Sequence, residues 1–301
     1  MMLMLPGSCS VPEGRECSVR VSVVTPSFRS SKWLKLCIAS VADQGLDVEH
    51  IVQDAGSDDG TLEWLLQDHR VKAFVERDQG MYDAVNRGLQ RAGGGILAYL
   101  NCDEQYLPGA LRAVEVFFEQ HPRVDVLFGD IIMVDTRGQY LWHRKVQVPL
   151  KYHTWVSHLS TLSCAMFFRR QLVCERGFLF NPRLRDVGDG EWVLRLMRSG
   201  VGMSALGQFT SAFTCTGSNM SRGPNARREA LELFGSAPLW ARKAKPLLIL
   251  YHRLRRLLGG MYFQKPFEYA IYTLDSPSRR VVHVVNKPTV GRPSQEFSRR
   301  D

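Results

Sequence analysis

A chain of 301 residues with 45% hydrophobic and 23% charged side chains has the make-up of a folded globular protein, which excludes wholesale disorder and a polytopic membrane protein. Its formal charge of +9 is unevenly placed: from Trp240 to Asp301 thirteen Lys and Arg face four acidic residues, so residues 1–239 are neutral as a whole. Seven scattered cysteines, an odd number without a C-x-x-C pair, argue against a zinc site or a disulfide framework and fit a reducing cytoplasm.

Residues 1–18 read as a leader without clear structure, since Met1 to Pro6 is briefly apolar but lacks a basic n-region. No uninterrupted apolar run reaches the ~18 residues of a membrane-spanning helix. Val19 to Thr25 is a β-branched run predicted as a strand and stopped by Pro26-Ser27. Trp33 to Val41 carries helical spacing, and Glu49 to Asp54 is a second strand, broken by Ala55-Gly56-Ser57. Thr61 to Leu66 begins a helix, with Thr61 as its N-cap. Val71 to Val75, Ile96 to Leu100 and Val124 to Val134 are further strands; Met81 to Leu89 and a segment from Pro108 to about Gln120 are the helices between them. Such alternation predicts a mostly parallel sheet. Beyond it, Tyr140 to His143, Ser163 to Phe168 and Gln208 to Thr216 read as strands, and Asp189 to Met197 as an amphipathic helix.

Sheets of this kind bind ligands beyond the carboxyl ends of their strands, so the polar residues at those exits are the candidates. Thr25-Pro26-Ser27 follows the first strand, and Asp54 opens an acidic, glycine-containing loop after the second. Glycines there let backbone approach a ligand, and Asp54 would face a base or ribose. The same loop is equally a turn rich in helix-capping side chains. Asp78 follows the third strand, and Asp83, Asn86 and Arg87 fall at i, i+3 and i+4 of the next helix. Asn101-Cys102-Asp103-Glu104 follows the fourth strand, where hard carboxylate oxygens suit Mg²⁺ or Mn²⁺ bridging protein and diphosphate. Taken alone, such an acidic pair is more often a cap or a solvated turn.

Together these pieces resemble the family 2 inverting glycosyltransferases of GT-A fold. VSVVTPSF is similar to that family's first-strand motif, HIVQDAGSDDGT to its nucleotide loop, and RDQGMYDAVNRGLQRAGGGILAYLNCDE to the segment leading into its D-x-D-type metal motif. FFRRQLVCERGFLFNPRLRDVGDGEWVLRLMRSG looks like the acceptor-side segment bearing the catalytic base. The resemblance covers residues 19–220 or so and implies a GT-A domain over 19–225, with 226–301 a basic helical C-terminal extension.

Carried over position by position, the resemblance puts Thr25, Pro26 and Asp54 in the nucleotide pocket, with Asp78 and Arg87 at the ribose or diphosphate. Asn101 and Cys102 lie beside the nucleotide sugar, and Asp103 is the ligand of Mn²⁺ or Mg²⁺. Asp189 is the general base, Glu191 its neighbour, and Glu104 and His158 are secondary or acceptor-side residues. Two departures stand out: Asn101 replaces the first carboxylate of D-x-D, and Ser163-Cys164 stands where His-Gln often precedes F-F-R-R. The implied reaction is attack by an acceptor hydroxyl on a nucleotide sugar with inversion. UDP is the expected carrier, and a saccharide or lipid-linked saccharide the expected acceptor.

PLLILYHRLRRLLGG, within the basic tail, is one basic amphipathic helix by spacing. Residues 247–258 are thus expected at a membrane surface or a partner groove; packing on the domain with Arg253, Arg255 and Arg256 solvated is the plainer alternative. The interleaved leucines argue against nucleic acid as the partner, although a non-catalytic nucleotide- or nucleic-acid-binding protein is the competing reading of the whole chain. The expected location is the cytoplasm, peripheral to the inner face of the plasma membrane, in polysaccharide biosynthesis for the cell envelope.

Overall fold

The computed structural model describes residues 21–217 and 224–290. The expected leader, 1–18, lies outside the described residues.

Three consecutive βα steps and a fourth strand build the first half. β1 (Val21–Ser27), β2 (Val48–Asp54), β3 (Lys72–Val75) and β4 (Ile96–Tyr99) pair in the order β3-β2-β1-β4, all parallel. The helices between them are α1 (Ser31–Ala42), α2 (Thr61–Leu65) and α3 (Met81–Arg91). β1 and β4 are buried along both faces, as their unbroken Val, Ser, Ile, Leu and Ala runs require when helices cover both sides of a sheet. The chain steps from β1 to β2 and β3 on one side, then crosses back to place β4 on the other. The switch point therefore lies between β1 and β4, where a crevice opens at the strand ends.

α3 packs tightly beneath this crevice. A Cβ on Gly88 would stand 2.3 Å from Val24 Cγ1, so glycine lets the helix approach β1. Its inward residues Tyr82, Val85 and Leu89 are at most 2% exposed, each contributing about 1.5–3 kcal/mol by burial.

Beyond β4 the sheet becomes mixed. β8 (Met166–Arg169) runs antiparallel to β4 and to β6 (Val126–Val134), which pairs parallel with β9 (Met203–Thr214). β7 (Tyr140–Arg144) pairs β6, and a three-residue strand, β5 (Glu104–Tyr106), pairs β9 at the edge. Among the described residues this is one nine-stranded sheet. The connections add α4 (Ala110–Gln120), α5 (Lys151–Val156), α6 (Gln171–Cys174) and α7 (Gly188–Arg198), the last in the place expected of the Asp189 helix.

The C-terminal stretch is helical through α8 (Pro224–Gly235), α9 (Leu239–Lys243) and α10 (Lys245–Leu258). It then adds an element beyond the expected helices, an antiparallel hairpin of β10 (Phe267–Thr273) and β11 (Ser276–Val285). The hairpin is clipped to the edge strand β5 and to the end of α1. Gln105 Nε2 donates to the Tyr272 carbonyl at 2.8 Å, and the Tyr272 amide donates to Gln105 Oε1 at 2.9 Å. Arg280 meets both oxygens of Asp43 at 2.5 Å. Among the described residues no helix is long and apolar enough to cross a membrane.

Candidate active site

The exits of β1 and β2 are locked to each other. Asp54 is fully buried, and its Oδ1 accepts from the amides of Gly56 (2.9 Å) and Ser57 (2.7 Å). Its Oδ2 accepts from the hydroxyls of Ser27 and Ser57, both at 2.8 Å. All four acceptor positions of a carboxylate are thereby used within the loop. Asp54 consequently shapes the loop, and what it offers a ligand is the backbone it fixes. Thr25 is likewise turned inward, its hydroxyl 2.8 Å from His50 Nε2. Pro26 presents the strand's end, and its carbonyl accepts from Cys102 Sγ at 3.3 Å.

After β3 a polar lattice holds the next loop. Asp78 Oδ1 accepts from the Gly80 amide at 2.8 Å. Arg87 donates to Asp83 Oδ2 at 2.8 Å and to the Arg77 carbonyl at 3.0 Å, cross-linking the loop to α3. Asn86 leaves that pair and turns into the core. Its side chain exchanges two 2.8 Å hydrogen bonds with the backbone of Phe180.

The turn after β4 carries the acidic pair. Glu104 begins β5 and is wholly buried; its Oε2 accepts from the Asn101 amide at 2.7 Å, closing the turn. Its Oε1 is buried without a partner among the described residues. Burial, with Asp103 alongside, pushes the Glu104 carboxyl well above its usual range. Cys102 is also buried, its thiol pushed up to about 12, which keeps it neutral. Asp103 is partly exposed; burial raises its carboxyl, and its own backbone amide holds it down against that.

No group of three or more His, Cys, Asp and Glu residues able to hold a metal occurs among the described residues. An all-protein cage is thus not what this site offers. One partly exposed carboxylate beside a buried, half-satisfied carboxyl fits instead a hard divalent ion that takes most of its ligands from phosphate and water.

Opposite this turn stands Asp189, in the first turn of α7. Its Oδ1 accepts from the hydroxyl of Tyr99 on β4 and from that of Tyr82 on α3, the latter at 3.2 Å. The Asp189 amide donates back to the Tyr82 oxygen at 3.1 Å. Oδ2 makes no hydrogen bond among the described residues. Burial drives the Asp189 carboxyl up to about 6, while the two tyrosine hydroxyls hold it down against that. Both phenols are themselves buried and raised well above their usual value, so they remain neutral donors. Phe180 stacks on Tyr82 (5.5 Å between centroids) and on Trp192 (4.8 Å), and meets Tyr99 edge-on (5.3 Å), which fixes the rings. Gly188 makes the approach feasible: a Cβ there would stand 2.4 Å from the Tyr82 ring.

A second support comes from the C-terminal stretch. Glu229 on α8 is 2% exposed and accepts from the amides of Arg185 (2.8 Å), Asp186 (3.0 Å) and Val187 (3.1 Å), the turn that leads into α7. Glu191, two residues along from Asp189, accepts from Arg195 Nε at 2.7 Å, and its Oε2 is buried without a partner among the described residues. His158 lies elsewhere in its contacts: Nδ1 is 3.0 Å from the Ser157 hydroxyl, and the ring stands edge-on to His153 at 4.9 Å.

Asn101, Cys102, Asp103 and Glu104 thus form one turn beside Pro26, and Asp189 is tied to the β4 strand that leads into it. Asp78 and Arg87 act within the neighbouring loop. Tyr82, Tyr99 and Glu229 were passed over by sequence reasoning, because in sequence they look like ordinary core or surface residues; Asn86, expected on a shared face with Asp83 and Arg87, instead holds the Phe180 backbone.

The comparisons with known proteins agree with this geometry. Residues 22–178 match the model of Glycosyl transferase family 2. The "PGL/p-HBAD biosynthesis glycosyltransferase" of Mycobacterium bovis is 30% identical over 182 residues, 58% of this chain and 68% of that protein. The "GalNAc(5)-diNAcBac-PP-undecaprenol beta-1,3-glucosyltransferase" of Campylobacter jejuni is 35% identical over 102 residues, about a third of each chain. Among solved structures, S. aureus TarS 1–349 in complex with UDP-GlcNAc superposes with a TM-score of 0.58 at 19% identity, covering 80% of this chain and 73% of that one. That likeness establishes the fold as GT-A-like. With a parallel β3-β2-β1-β4 half, an acidic turn at its switch point and more than half its length matching one family model, the chain belongs to glycosyl transferase family 2.

Proposed function

We propose that this glycosyltransferase moves a sugar with inversion from a UDP-sugar to a hydroxyl of a saccharide or lipid-linked saccharide, with Asp189 as general base. The observation that carries this reading is the state of Asp189. One carboxylate oxygen is held by two neutral tyrosine hydroxyls, the other is free, and the group titrates near 6. A carboxylate so held is oriented by its neighbours, ionised at neutral pH, and basic enough to take a proton from an attacking hydroxyl.

The crevice between β1 and β4 would receive the nucleotide, lined by Pro26, by the loop backbone that Asp54 fixes and by Asn101 and Cys102. Asp78 and Arg87 would border the ribose and diphosphate. Asp103 would hold Mn²⁺ or Mg²⁺ together with the donor diphosphate, with Glu104 buried behind it. Bound there, the ion would offset charge on the leaving group. Asp189 Oδ2 would accept the acceptor's proton, while Tyr99 and Tyr82 keep Oδ1 in place. Glu191 would flank the acceptor side.

The TarS complex with UDP-GlcNAc supports a uridine carrier, and the name of the Campylobacter relative supports a lipid-linked acceptor. On this reading the chain works on the cytoplasmic side, peripheral to the inner face of the plasma membrane. Calorimetry of UDP binding with and without Mn²⁺, on the wild type and on Asp103→Asn, tests the donor half. Affinity should rise with Mn²⁺ in the wild type and lose about tenfold or more in the variant. Equal, metal-indifferent binding by both would remove Asp103 from this role.

A further inference from the structure

α10 is built inside out. An ordinary surface helix turns its apolar stripe to the core and its charges to water. Here Leu247, Leu250, Tyr251, Leu254, Leu257 and Leu258, spaced i, i+3, i+4, i+7, i+10 and i+11, form one stripe that is 48–88% exposed. The inward positions are mixed: Leu248 packs against the cluster of Trp155, Val156 and Leu194, and its inward neighbours further along are polar. His252 and Arg256 are buried, with His252 stacked on His153 of α5 at 4.0 Å. Arg255 donates to the Val148 carbonyl at 2.7 Å and Arg256 to the Lys145 carbonyl at 2.9 Å. Two of the helix's cations are thereby used to fasten it to the segment before α5. Five of its six leucines are left outside, Leu248 alone turning inward.

Exposed aromatic residues flank the stripe in sequence on both sides. Trp240 on α9 is 52% exposed, and Phe263, after α10, is 69% exposed. Along the flanking sequence the charge is of one sign. From Leu239 to Lys265 there are seven Lys and Arg and no Asp or Glu; of these Lys243, Arg253 and Lys265 are exposed. An apolar stripe with aromatic residues at its ends and cations at its margin, without one acid, complements an anionic bilayer surface. A protein groove would be expected to set some acids against those cations.

We infer that the outer face of α10, with Trp240 and Phe263, is a docking surface for an anionic lipid bilayer, on which the helix lies in the interfacial plane. α10 packs on α5, and α5 on α7, the helix that carries Asp189. A docked chain therefore holds its proposed base two helices above the lipid. The inference stands on α10 and its surroundings, independently of the transfer chemistry.

Co-sedimentation of the full chain with vesicles tests it. Vesicles of equimolar phosphatidylcholine and phosphatidylglycerol should bring the wild type down at low salt, and phosphatidylcholine alone should bind at least about tenfold more weakly. Leu250→Ser combined with Leu254→Ser, at exposed positions, should cost about tenfold or more in partitioning with an unchanged melting temperature. Lys243→Glu with Arg253→Glu should lower binding to the anionic vesicles and weaken its salt dependence. Two results would overturn the inference: wild-type binding by either double variant, or no wild-type binding to the anionic vesicles at low salt. A third would be a concentration-dependent dimer that the Leu250→Ser, Leu254→Ser variant dissolves, since the face would then belong to a second copy. UDP binding measured on the same samples keeps the two readings apart, because vesicle binding without UDP binding contradicts only the proposed chemistry.

Discussion

The phenol of Tyr99 donates to Oδ1 of Asp189, joining the last residue of a central parallel strand to the first turn of α7, ninety positions later in the chain. The bond couples the parallel half of the sheet to the helix that follows its antiparallel strands. Tyr82 donates to the same oxygen, so two buried hydroxyls and one carboxylate form a single unit with one face left open.

Removing the Tyr99 hydroxyl takes away a bond made to the ionised form of Asp189, so the carboxyl should titrate higher than its present value of about 6. Tyr99→Phe is expected to shift the acid limb of the pH–rate profile to higher pH and to lower turnover at pH 6 by roughly fivefold to tenfold. Activity should partly recover as the pH is raised. A limb that stays where it was would mean that the phenol does not set the state of Asp189.

Gly188→Ala tests the packing that allows this unit. The new methyl would meet Tyr82 at 2.4 Å, and Tyr82 is 2% exposed with nowhere to move. Overpacking of this kind costs about 1–3 kcal/mol, so thermal unfolding should come earlier and turnover should fall with it. Unaltered melting and unaltered rate together would contradict the close approach of α7 to Tyr82.

Glu229→Ala should destabilise the fold by about 2–4 kcal/mol, because three backbone amides before α7 lose their charged acceptor. Burial opposes ionisation of Glu229, and the amides with Asn225 more than offset it, so its folded value lies below the ordinary 4.5. Stability from this group is present above pH 4.5 and is lost as the pH falls through the lower folded value. Chemical unfolding at neutral and acid pH checks both points: the variant should be the less stable at neutral pH and should lose less on acidification. A neutral-pH difference of under half a kcal/mol would rule out a supporting role.

The parallel half of the sheet was legible because its strands are short β-branched runs separated by glycine-rich or acidic turns, as at VSVVTPS and EHIVQD. The Asp189 helix was legible from the spacing of Trp192, Val193, Leu196 and Met197. β5 was not, because Glu104-Gln105-Tyr106 is polar, three residues long and buried only by partners distant in the chain. The β10–β11 hairpin carries alternation at Phe267, Tyr269 and Ile271, a signal that the basic character of the tail obscured.

Among the site residues, Asp103 and Asp189 could be named from motif order alone. Sequence could not say that Asp54 and Thr25 spend their side chains on the protein itself. Nor could it say that Tyr82, Tyr99 and Glu229 converge on Asp189 and its turn, because those contacts join positions 44 to 107 residues apart. Helical spacing likewise revealed the leucine stripe of α10 without telling which way it faces.

The proposed base is tested most directly by pH–rate profiles of the wild type and Asp189→Asn, with UDP binding measured on both. The wild type should lose activity on the acid side around pH 6. The variant should turn over about a thousandfold more slowly with no such limb, while binding UDP as before. Wild-type turnover in Asp189→Asn would contradict the assignment, and so would a wild-type profile that runs flat through pH 6.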